Sequence, residues 1–225
     1  MDPLDWQRVR VVVFDVDGTL YDQRCLRWRM LPALAGHCLL RPRRIEVLRV
    51  IARFRRERER LADQEATEIG RRQLEIPARA LGVSPERIRE VVREWMEVRP
   101  LRYLGRCRFP RVERVFARLA ESGRTVGILS DYPAAAKLEA LGLQADIVVS
   151  ALDPEVDRLK PNPAGLARVL ELAGVGPEEC LVIGDRDSRD GECARRLGSP
   201  FLLKARRVSP RAFVDYRELL ADLGA

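Results

Sequence analysis

The stretch VRVVVFDVDGTLYD, residues 9–22, sets two carboxylates at the end of an apolar run. Residues 9–14 form a short run that is mostly β-branched, which predicts a buried strand. Asp15 and Asp17 follow this strand directly, with Gly18 and Thr19 after them. Because an Asp–Gly pair after a strand is often only a turn, the rest of the chain has to decide whether these acids carry chemistry.

Strands and helices alternate in the second half of the chain. Strand-like runs lie at residues 125–129, 147–149, 180–183 and 201–203. Helical segments lie around them at residues 112–121, 134–142, 163–173, 190–197 and 212–223. Alternation of this kind predicts βαβ units and a parallel sheet covered on both faces. The predicted fold class is therefore α/β, with a doubly wound, mainly parallel sheet.

The segment between the first strand and residue 100 has a different pattern. Residues 24–98 lack strand-like runs and carry apolar residues three and four apart, which is typical of amphipathic helices. We predict about four helices, with breaks near residues 32, 41–42, 62–63 and 81–82, and Ser84 as the N-cap of a helix that begins at Pro85. The predicted domains are an α/β core of residues 1–21 and 101–225 and a helical domain of residues 22–100.

Composition excludes some classes of protein. The 225 residues are 46% hydrophobic, enough for a sizeable core, and no uncharged apolar run approaches the roughly 18–20 residues that a membrane span needs. The net charge is +7, but the arginines are spread along the chain among glutamates. That spacing is typical of solvated faces, so we do not expect nucleic acid as a partner.

The cysteines and lysines are also informative. Five cysteines form no C-x-x-C pair, and no leader-like segment opens the chain, so we expect a reducing, cytoplasmic location. Among 41 basic residues only three are lysines: Lys137, Lys160 and Lys204. A lysine retained in such a chain suggests a point-charge role that a planar guanidinium fills poorly.

Polar side chains follow several of the predicted strands. Ser130 and Asp131 come after the strand at residues 125–129, Lys160 lies in the loop beyond the next strand, and Asp185 and Asp190 follow residues 180–183. Ligands of open parallel sheets bind beyond the carboxyl ends of the strands. These side chains are therefore expected to meet Asp15 and Asp17 at one edge.

Such a set of groups suits phosphate chemistry. Crowded carboxylates repel one another unless a cation neutralises them, and an all-oxygen site favours Mg²⁺. A lysine and a hydroxyl beside that metal would bind a transferring phosphoryl group and spread its charge. One carboxylate can then act as nucleophile while a second handles the proton of the leaving oxygen.

Four short motifs occur in order at the strand ends: DVDGTL at residues 15–20, LSD at 129–131, LKPNP at 159–163 and IGDRDSRD at 183–190. Together they resemble the motifs of the haloacid dehalogenase-like hydrolase superfamily over residues 9–205. The resemblance implies a Rossmann-like core, and it implies that the helical segment is a cap domain that closes over the site and selects the substrate.

The resemblance also implies roles for individual residues. Asp15 would attack phosphorus and Asp17 would serve as general acid and then base, while Ser130 and Lys160 would bind the phosphoryl group. Asp131 belongs to the same phosphate-binding group, by its place in the LSD motif. Mg²⁺ would be held by Asp15, the backbone carbonyl of Asp17 and Asp185. Asp190 would support Lys160 or the metal.

The acid at position 17 favours phosphate ester hydrolysis, since the dehalogenase branch of the family lacks one there. The expected enzyme is a Mg²⁺-dependent phosphohydrolase that acts on a small phosphorylated metabolite through an aspartyl-phosphate. A phosphomutase with the same chemistry stays open, as does a basic non-catalytic module that binds nucleic acid or phosphate. The substrate and the oligomeric state are left open.

Two further residues are given structural roles. Lys137 lies on a predicted helix before LEALGL, and we interpret it as structural. Asp187 is interpreted as a first-turn helix acid, favourable with the helix dipole. The last motif departs from the family pattern at Arg189, where Asn or Thr is common, and this makes the role of Asp190 less definite than that of Asp185.

Overall fold

The computed structural model describes residues 5–40, 46–205 and 212–224. Six parallel strands form one sheet in the order β3-β2-β1-β4-β5-β6. The strands are β1 Val11–Phe14, β2 Thr125–Ser130, β3 Ile147–Ser150, β4 Cys180–Gly184, β5 Phe201–Lys204 and β6 Ala212–Phe213. This arrangement confirms the predicted α/β class and its parallel sheet.

The central strand β1 is buried on both faces of the sheet. Val12 and Phe14 point into one apolar cluster, whereas Val11 and Val13 point into another, because successive side chains of a strand alternate between faces. Val13 pairs with Gly127 on one side and with Val182 on the other. The strand that carries Asp15 is therefore held rigidly at the centre of the sheet.

Ten α-helices lie in the part of the chain that the structure describes. They are α1 Gln23–Leu40, α2 Glu46–Asp63, α3 Ile69–Leu81, α4 Pro85–Val92, α5 Leu101–Cys107, α6 Val112–Glu121, α7 Ala135–Leu141, α8 Ala164–Ala173, α9 Glu192–Leu197 and α10 Tyr216–Asp222. A π-helical segment, Arg93–Val98, continues α4, and a second, Asp187–Gly191, precedes α9. Helices α6 and α10 cover one face of the sheet and α8 covers the other.

The described elements between β1 and α5 are all helices, joined by turns. We call residues 22–100 the helical insertion and the rest the core; their division into two domains stays a prediction. Val47, Phe54, Ile88 and Trp95 form a separate apolar cluster inside the insertion. Ser84 caps α4 as predicted, since its Oγ accepts a hydrogen bond from the Arg87 amide at 3.2 Å.

Pro32 does not break the chain into two helices, so that prediction is wrong: α1 runs through it. Proline removes one backbone hydrogen bond from a helix. The neighbouring Trp28 and Leu31 are exposed, so water can satisfy the carbonyl that loses its partner. The predicted breaks near Asp63 and Gly82 coincide with helix ends, and the break at residues 41–42 lies outside the described residues.

The end of the chain also differs from the prediction of one helix over residues 212–223. Ala212 and Phe213 instead pair with β5 as a short strand. Helix α10 begins only at Tyr216, with the Asp215 side chain as its N-cap. Capping at Asp215 fixes the helix start and leaves Ala212 and Phe213 outside the helix, where they extend the sheet.

Two cysteines are joined in the structure. Cys25 of α1 and Cys107 of α5 form a disulfide with a Cα–Cα distance of 5.6 Å. This disulfide differs from the reduced cysteines expected from the sequence. The two residues are 82 positions apart and are brought together by the fold, which the spacing of cysteines in the sequence does not reveal. Cys180 and Cys193 are buried thiols.

None of the described helices combines the length and the apolar character required to cross a membrane.

Candidate active site

The strand order reverses beside β1, which places a crevice between the carboxyl ends of the strands. A cavity of about 730 Å³ opens there beneath the helical insertion. Six of the residues predicted from the sequence line it together: Asp15, Asp17, Asp131, Lys160, Asp185 and Asp190. These six groups meet at one sheet edge, as expected, while their roles in the reaction stay predictions.

The turn after β1 is held in a conformation that requires glycine. Gly18 has φ of +108°, and a Cβ added there would lie 2.1 Å from Oδ2 of Asp185. Thr19 donates its hydroxyl to Oδ2 of Asp15 at 3.0 Å, and its carbonyl accepts the Tyr216 hydroxyl at 2.7 Å. The DVDGTL turn thus brings Asp15 and Asp185 close together and orients one oxygen of Asp15.

Lys160 lies between two carboxylates. Its Nζ is 2.6 Å from Oδ1 of Asp15 and 2.6 Å from Oδ1 of Asp190, and it also donates to the Leu129 carbonyl at 3.2 Å. Burial by itself would lower the pKa of Lys160, but the negative charges of Asp15 and Asp190 hold that pKa well above its usual value. The ammonium is therefore a permanent positive charge beside Asp15.

The LSD motif positions Lys160, and the hydroxyl of its Ser130 does not face the cavity. The Asp131 carboxylate accepts the backbone amide of Lys160 at 3.0 Å, so Asp131 fixes the loop that carries the ammonium. Ser130 is buried, its Oγ accepts the amide of Tyr132 at 3.2 Å, and it is not among the residues that line the cavity. A contact between Ser130 and substrate stays a prediction.

Three carboxylates are close enough to share a cation. Oxygen atoms of Asp15, Asp185 and Asp190 all lie within 4.8 Å of one another. Burial and the charges of Asp15 and Asp190 raise the pKa of Asp185 to about 7, and burial raises the pKa of Asp190 even against the pull of Lys160. Such an all-oxygen donor set with surplus negative charge fits Mg²⁺.

Asp17 has a different environment from these three acids. Lys137 Nζ lies 2.7 Å from Oδ1 and 2.6 Å from Oδ2 of Asp17, and the Tyr21 hydroxyl also donates to this carboxylate. Burial would raise the pKa of Asp17, but the Lys137 ammonium holds it below its usual value. The backbone carbonyl of Asp17, expected to face the metal, accepts a hydrogen bond from the Gln23 side chain.

Lys137 was given only a structural role from the sequence, but the structure places it at the site, and a role in the reaction is a prediction. Lys137 is 8% exposed, lines the cavity and pairs with Asp17. Helix α7, which carries Lys137, begins five residues after Ser130, so its first turn lies close to the strand ends. The rarity of lysine in this chain was the signal that could have found it.

The helical insertion is fastened to the loop after β4 by ion pairs. Arg186 donates to both carboxylate oxygens of Glu59 at 2.8 and 2.9 Å, and Arg189 contacts Glu59 at 2.8 Å and Asp63 at 2.6 Å. Hydrogen bonds from Arg186 and Arg189 lower the pKa of Glu59 to about 2 against burial. Arg189, the departure from the family pattern, therefore links the insertion to the core.

Asp187 lies outside this cluster. It is the first residue of the π-helical turn and pairs with Arg195 at 2.9 Å on the surface. Its predicted structural role fits this placement. Asp190, in contrast, accepts the Arg186 amide at 3.0 Å through Oδ2 while Oδ1 contacts Lys160.

Fold and site together define an α/β enzyme whose carboxylates and ammonium meet at the ends of parallel strands. The model of the haloacid dehalogenase-like hydrolases matches residues 9–198 of the chain. This match covers most of the sequence, so the chain belongs to the haloacid dehalogenase-like hydrolase family. The resemblance predicted from the four motifs is confirmed.

Curated relatives and solved structures agree with this family. The chain is 28% identical to a phosphoglycolate phosphatase of Salmonella typhimurium over 89% of this chain and 82% of the relative. It is 30% identical to a phosphoglycolate phosphatase of Rhodospirillum rubrum over 54% of this chain, and that alignment spans about half, 48%, of the relative. A 2-haloacid dehalogenase from Pseudomonas syringae shares the fold, with a TM-score of 0.63, 22% identity, and coverage of 96% of this chain and 98% of that one.

Proposed function

We propose that this hydrolase cleaves phosphate monoesters of small metabolites through an aspartyl-phosphate formed on Asp15, with Mg²⁺ as its cofactor. The observation that carries the proposal is the position of Lys160 Nζ, 2.6 Å from Asp15. An ammonium held beside a carboxylate nucleophile can bind the anionic phosphoryl group where the reaction takes place. The names of the relatives, phosphoglycolate phosphatases, support the same reaction class.

Asp15 is prepared as the nucleophile by its neighbours. Lys160 holds Oδ1 and the Thr19 hydroxyl holds Oδ2, so the carboxylate keeps one orientation toward the cavity. Asp15, Asp185 and Asp190 would hold Mg²⁺, and the bound cation would neutralise charge on the phosphoryl oxygens. Lys160 would stabilise the same charge through its ammonium.

Asp17 suits the proton transfers. Held ionised by Lys137, its carboxylate can take the proton of the water that hydrolyses the phosphoenzyme. For the first step it must carry a proton to the leaving oxygen, and it must then separate from Lys137. The acid at position 17 also distinguishes this proposal from dehalogenation, for which a proton donor to an alkoxide is not needed.

The proposal is tested by measuring phosphate release from p-nitrophenyl phosphate with Mg²⁺ and with EDTA. We expect turnover that depends on Mg²⁺ and that Asp15→Asn reduces by a factor of about 1,000 or more, because a covalent nucleophile is lost. Asp187→Asn is the matched control: it changes an acid of the last motif that faces away from the cavity, and its turnover should equal that of the wild type.

Other outcomes separate the alternatives. Near-normal turnover of Asp15→Asn with retained circular dichroism would refute the mechanism. Isomer formation from a sugar phosphate without free phosphate would indicate a mutase. Halide release from a 2-haloacid in place of phosphate release would indicate a dehalogenase.

A further inference from the structure

The cavity side of helix α2 changes character along its length. The residues of α2 that line the cavity recur at spacings of three and four: Leu48, Ile51, Ala52, Arg55 and Glu59. Such spacing puts them on one face of the helix. The face is therefore apolar in its first half and charged in its second half.

The charged half is the one nearest the reacting groups. Glu59 contacts Arg186 and Arg189, which follow Asp185 in the chain. Leu48 lies eleven residues before Glu59, about 16 Å away along the helix axis at 1.5 Å per residue. The apolar half of α2 therefore borders the outer part of the cavity, one to two helical turns beyond Arg55.

Helix α1 shows the same change in the opposite chain direction. Gln23, at its start, donates to the backbone carbonyl of Asp17. Leu26, Met30 and Leu34 follow at spacings of four and line the cavity, and Arg27 lies beside the inner end of this stripe. They lead outward from the site by roughly 16 Å between Gln23 and Leu34. Two helices thus present apolar stripes to the same outer space.

The end of this space is apolar, and its charges are mixed, since Glu97 lies there and the Arg99 guanidinium stands over the Trp95 ring, 4.3 Å from the centroid. Trp95 lines it and packs against His37, near the end of α1, with ring centroids 4.8 Å apart. Met96 and Glu97 follow on the same wall. Leu48 lines the cavity and is 41% exposed, and an exposed apolar surface beside a reactive site favours the binding of an apolar ligand.

From this gradient we infer that the alcohol portion of the substrate is apolar and extended, an alkyl, isoprenoid or aryl chain that runs from the phosphoryl site to Trp95. The inference rests on the proposed function, whose substrate class it narrows. A two-carbon acid such as phosphoglycolate would leave both stripes in contact with water. An apolar chain would cover them.

The inference is tested with a series of ethyl, butyl, hexyl and octyl phosphate, with phosphoglycolate as a compact comparison. Each methylene that becomes buried should raise kcat/KM up to about fourfold until the space is filled. Octyl phosphate should therefore exceed both ethyl phosphate and phosphoglycolate. Equal kcat/KM across the series, or a preference for phosphoglycolate, would overturn the inference.

A matched pair of variants locates the effect. Leu48→Asn should flatten the dependence of kcat/KM on chain length, because it places a polar group on the apolar stripe. Leu172→Asn changes a leucine of similar exposure, 50% against 41%, on core helix α8 away from the cavity, and it should keep the wild-type dependence. If both variants keep the wild-type dependence on chain length, the alkyl chain binds elsewhere and the assignment is refuted.

Binding of alkylphosphonates, which have no ester bond to hydrolyse, separates this inference from the proposed function. Calorimetry should show a Kd that falls with chain length and a negative heat-capacity change, the mark of apolar burial. If no ester is hydrolysed but the phosphonates show this dependence, the proposed function fails and the apolar site stands. If esters are hydrolysed without any dependence on chain length, the proposed function stands and the inference fails.

Discussion

Lys137 holds Asp17 through both carboxylate oxygens, at 2.7 and 2.6 Å from its Nζ. A core helix thereby controls the acid that the proposed mechanism uses for proton transfer. Asp15, two residues away, pairs instead with Lys160. Two acids of one turn thus pair with two different lysines, so each carboxylate has its own counter-charge and its own orientation.

Replacement of Lys137 by Met should weaken proton transfer more than substrate binding. We expect kcat to fall on the order of 100-fold, at the low end of what a positioned acid–base group contributes, with a smaller change in KM. Without the ammonium the pKa of Asp17 should rise, so the acidic limb of the pH profile of kcat, which reports Asp17 as the base in phosphoenzyme hydrolysis, should move to higher pH. Steady-state kinetics across pH provides both values.

Lys137→Arg is the control for this prediction. A guanidinium restores the charge but not the compact geometry, so part of kcat and most of the pH profile should return. If Lys137→Met lowers only the free energy of unfolding and leaves the pH profile in place, the lysine is structural after all.

The part of the site that could be predicted from the sequence is the part that topology dictates. Parallel strands all end at one edge of the sheet, so Asp15, Asp131 and Asp185 had to meet once the strands were recognised. Lys137 was missed because it stands on a helix, and its reach depends on where α7 begins relative to β2. Neither hydrophobic periodicity nor a motif carries that information.

Some local features were missed for other physical reasons. The strand Ala212–Phe213 has two residues, too few for any periodic pattern, and it exists because β5 offers a free edge. The disulfide between Cys25 and Cys107 depends on the contact of α1 with α5, which no spacing predicts. The ion pairs of Arg189 with Glu59 and Asp63 join segments more than 120 residues apart.

The metal-free protein should become less stable as the pH rises through the range in which Asp185 titrates. The pKa of Asp185 is about 7 in the folded protein, against about 4 for an unfolded chain. Between these values the folded state holds a proton that the unfolded state has released. The associated stability is present below about pH 4 and is lost as the pH rises through about 7, by roughly 1–2 kcal/mol after allowance for partial exposure.

Mg²⁺ should reverse this trend, because it binds the ionised carboxylates and stabilises the folded state by mass action. Urea unfolding at about pH 5 and about pH 8, with EDTA or with Mg²⁺, measures the four free energies. Asp185→Asn should remove the part of the pH dependence that comes from Asp185 and most of the Mg²⁺ effect, while the raised pKa of Asp190 leaves a smaller pH dependence in the same direction. A metal-free protein that gains stability relative to this variant as the pH rises would contradict the prediction.

The ion pairs between the helical insertion and the core should make substrate binding sensitive to salt. Arg189→Gln removes two contacts, to Glu59 and Asp63, and should raise KM by a factor of about three to ten while reducing the effect of salt on KM. The reason is that a partly exposed network of ion pairs contributes about 1 kcal/mol to holding the insertion against the core and is screened by ions.

Arg195→Gln, which breaks the surface pair with Asp187, should leave KM and its salt dependence unchanged. Equal effects of the two variants would show that the insertion is held by other contacts.

Gly18→Ala should disrupt the site through a single methyl group. The new Cβ would stand 2.1 Å from Oδ2 of Asp185, in a backbone with φ of +108°, so either Asp185 or the turn must move. We expect turnover to fall at least 100-fold and Mg²⁺ to bind at least tenfold more weakly, measured by metal titration, because displacing a metal ligand through a neighbouring residue has effects of this size.

Gly123→Ala isolates the backbone contribution. Gly123 also has a positive φ, of +72°, but a Cβ added there would meet no atom within 4 Å. That control should lose about 1 kcal/mol of unfolding free energy and keep its Mg²⁺ affinity. The difference between the two variants therefore measures the contact with Asp185, and an unchanged Mg²⁺ affinity in Gly18→Ala would mean that Asp185 does not bind the metal.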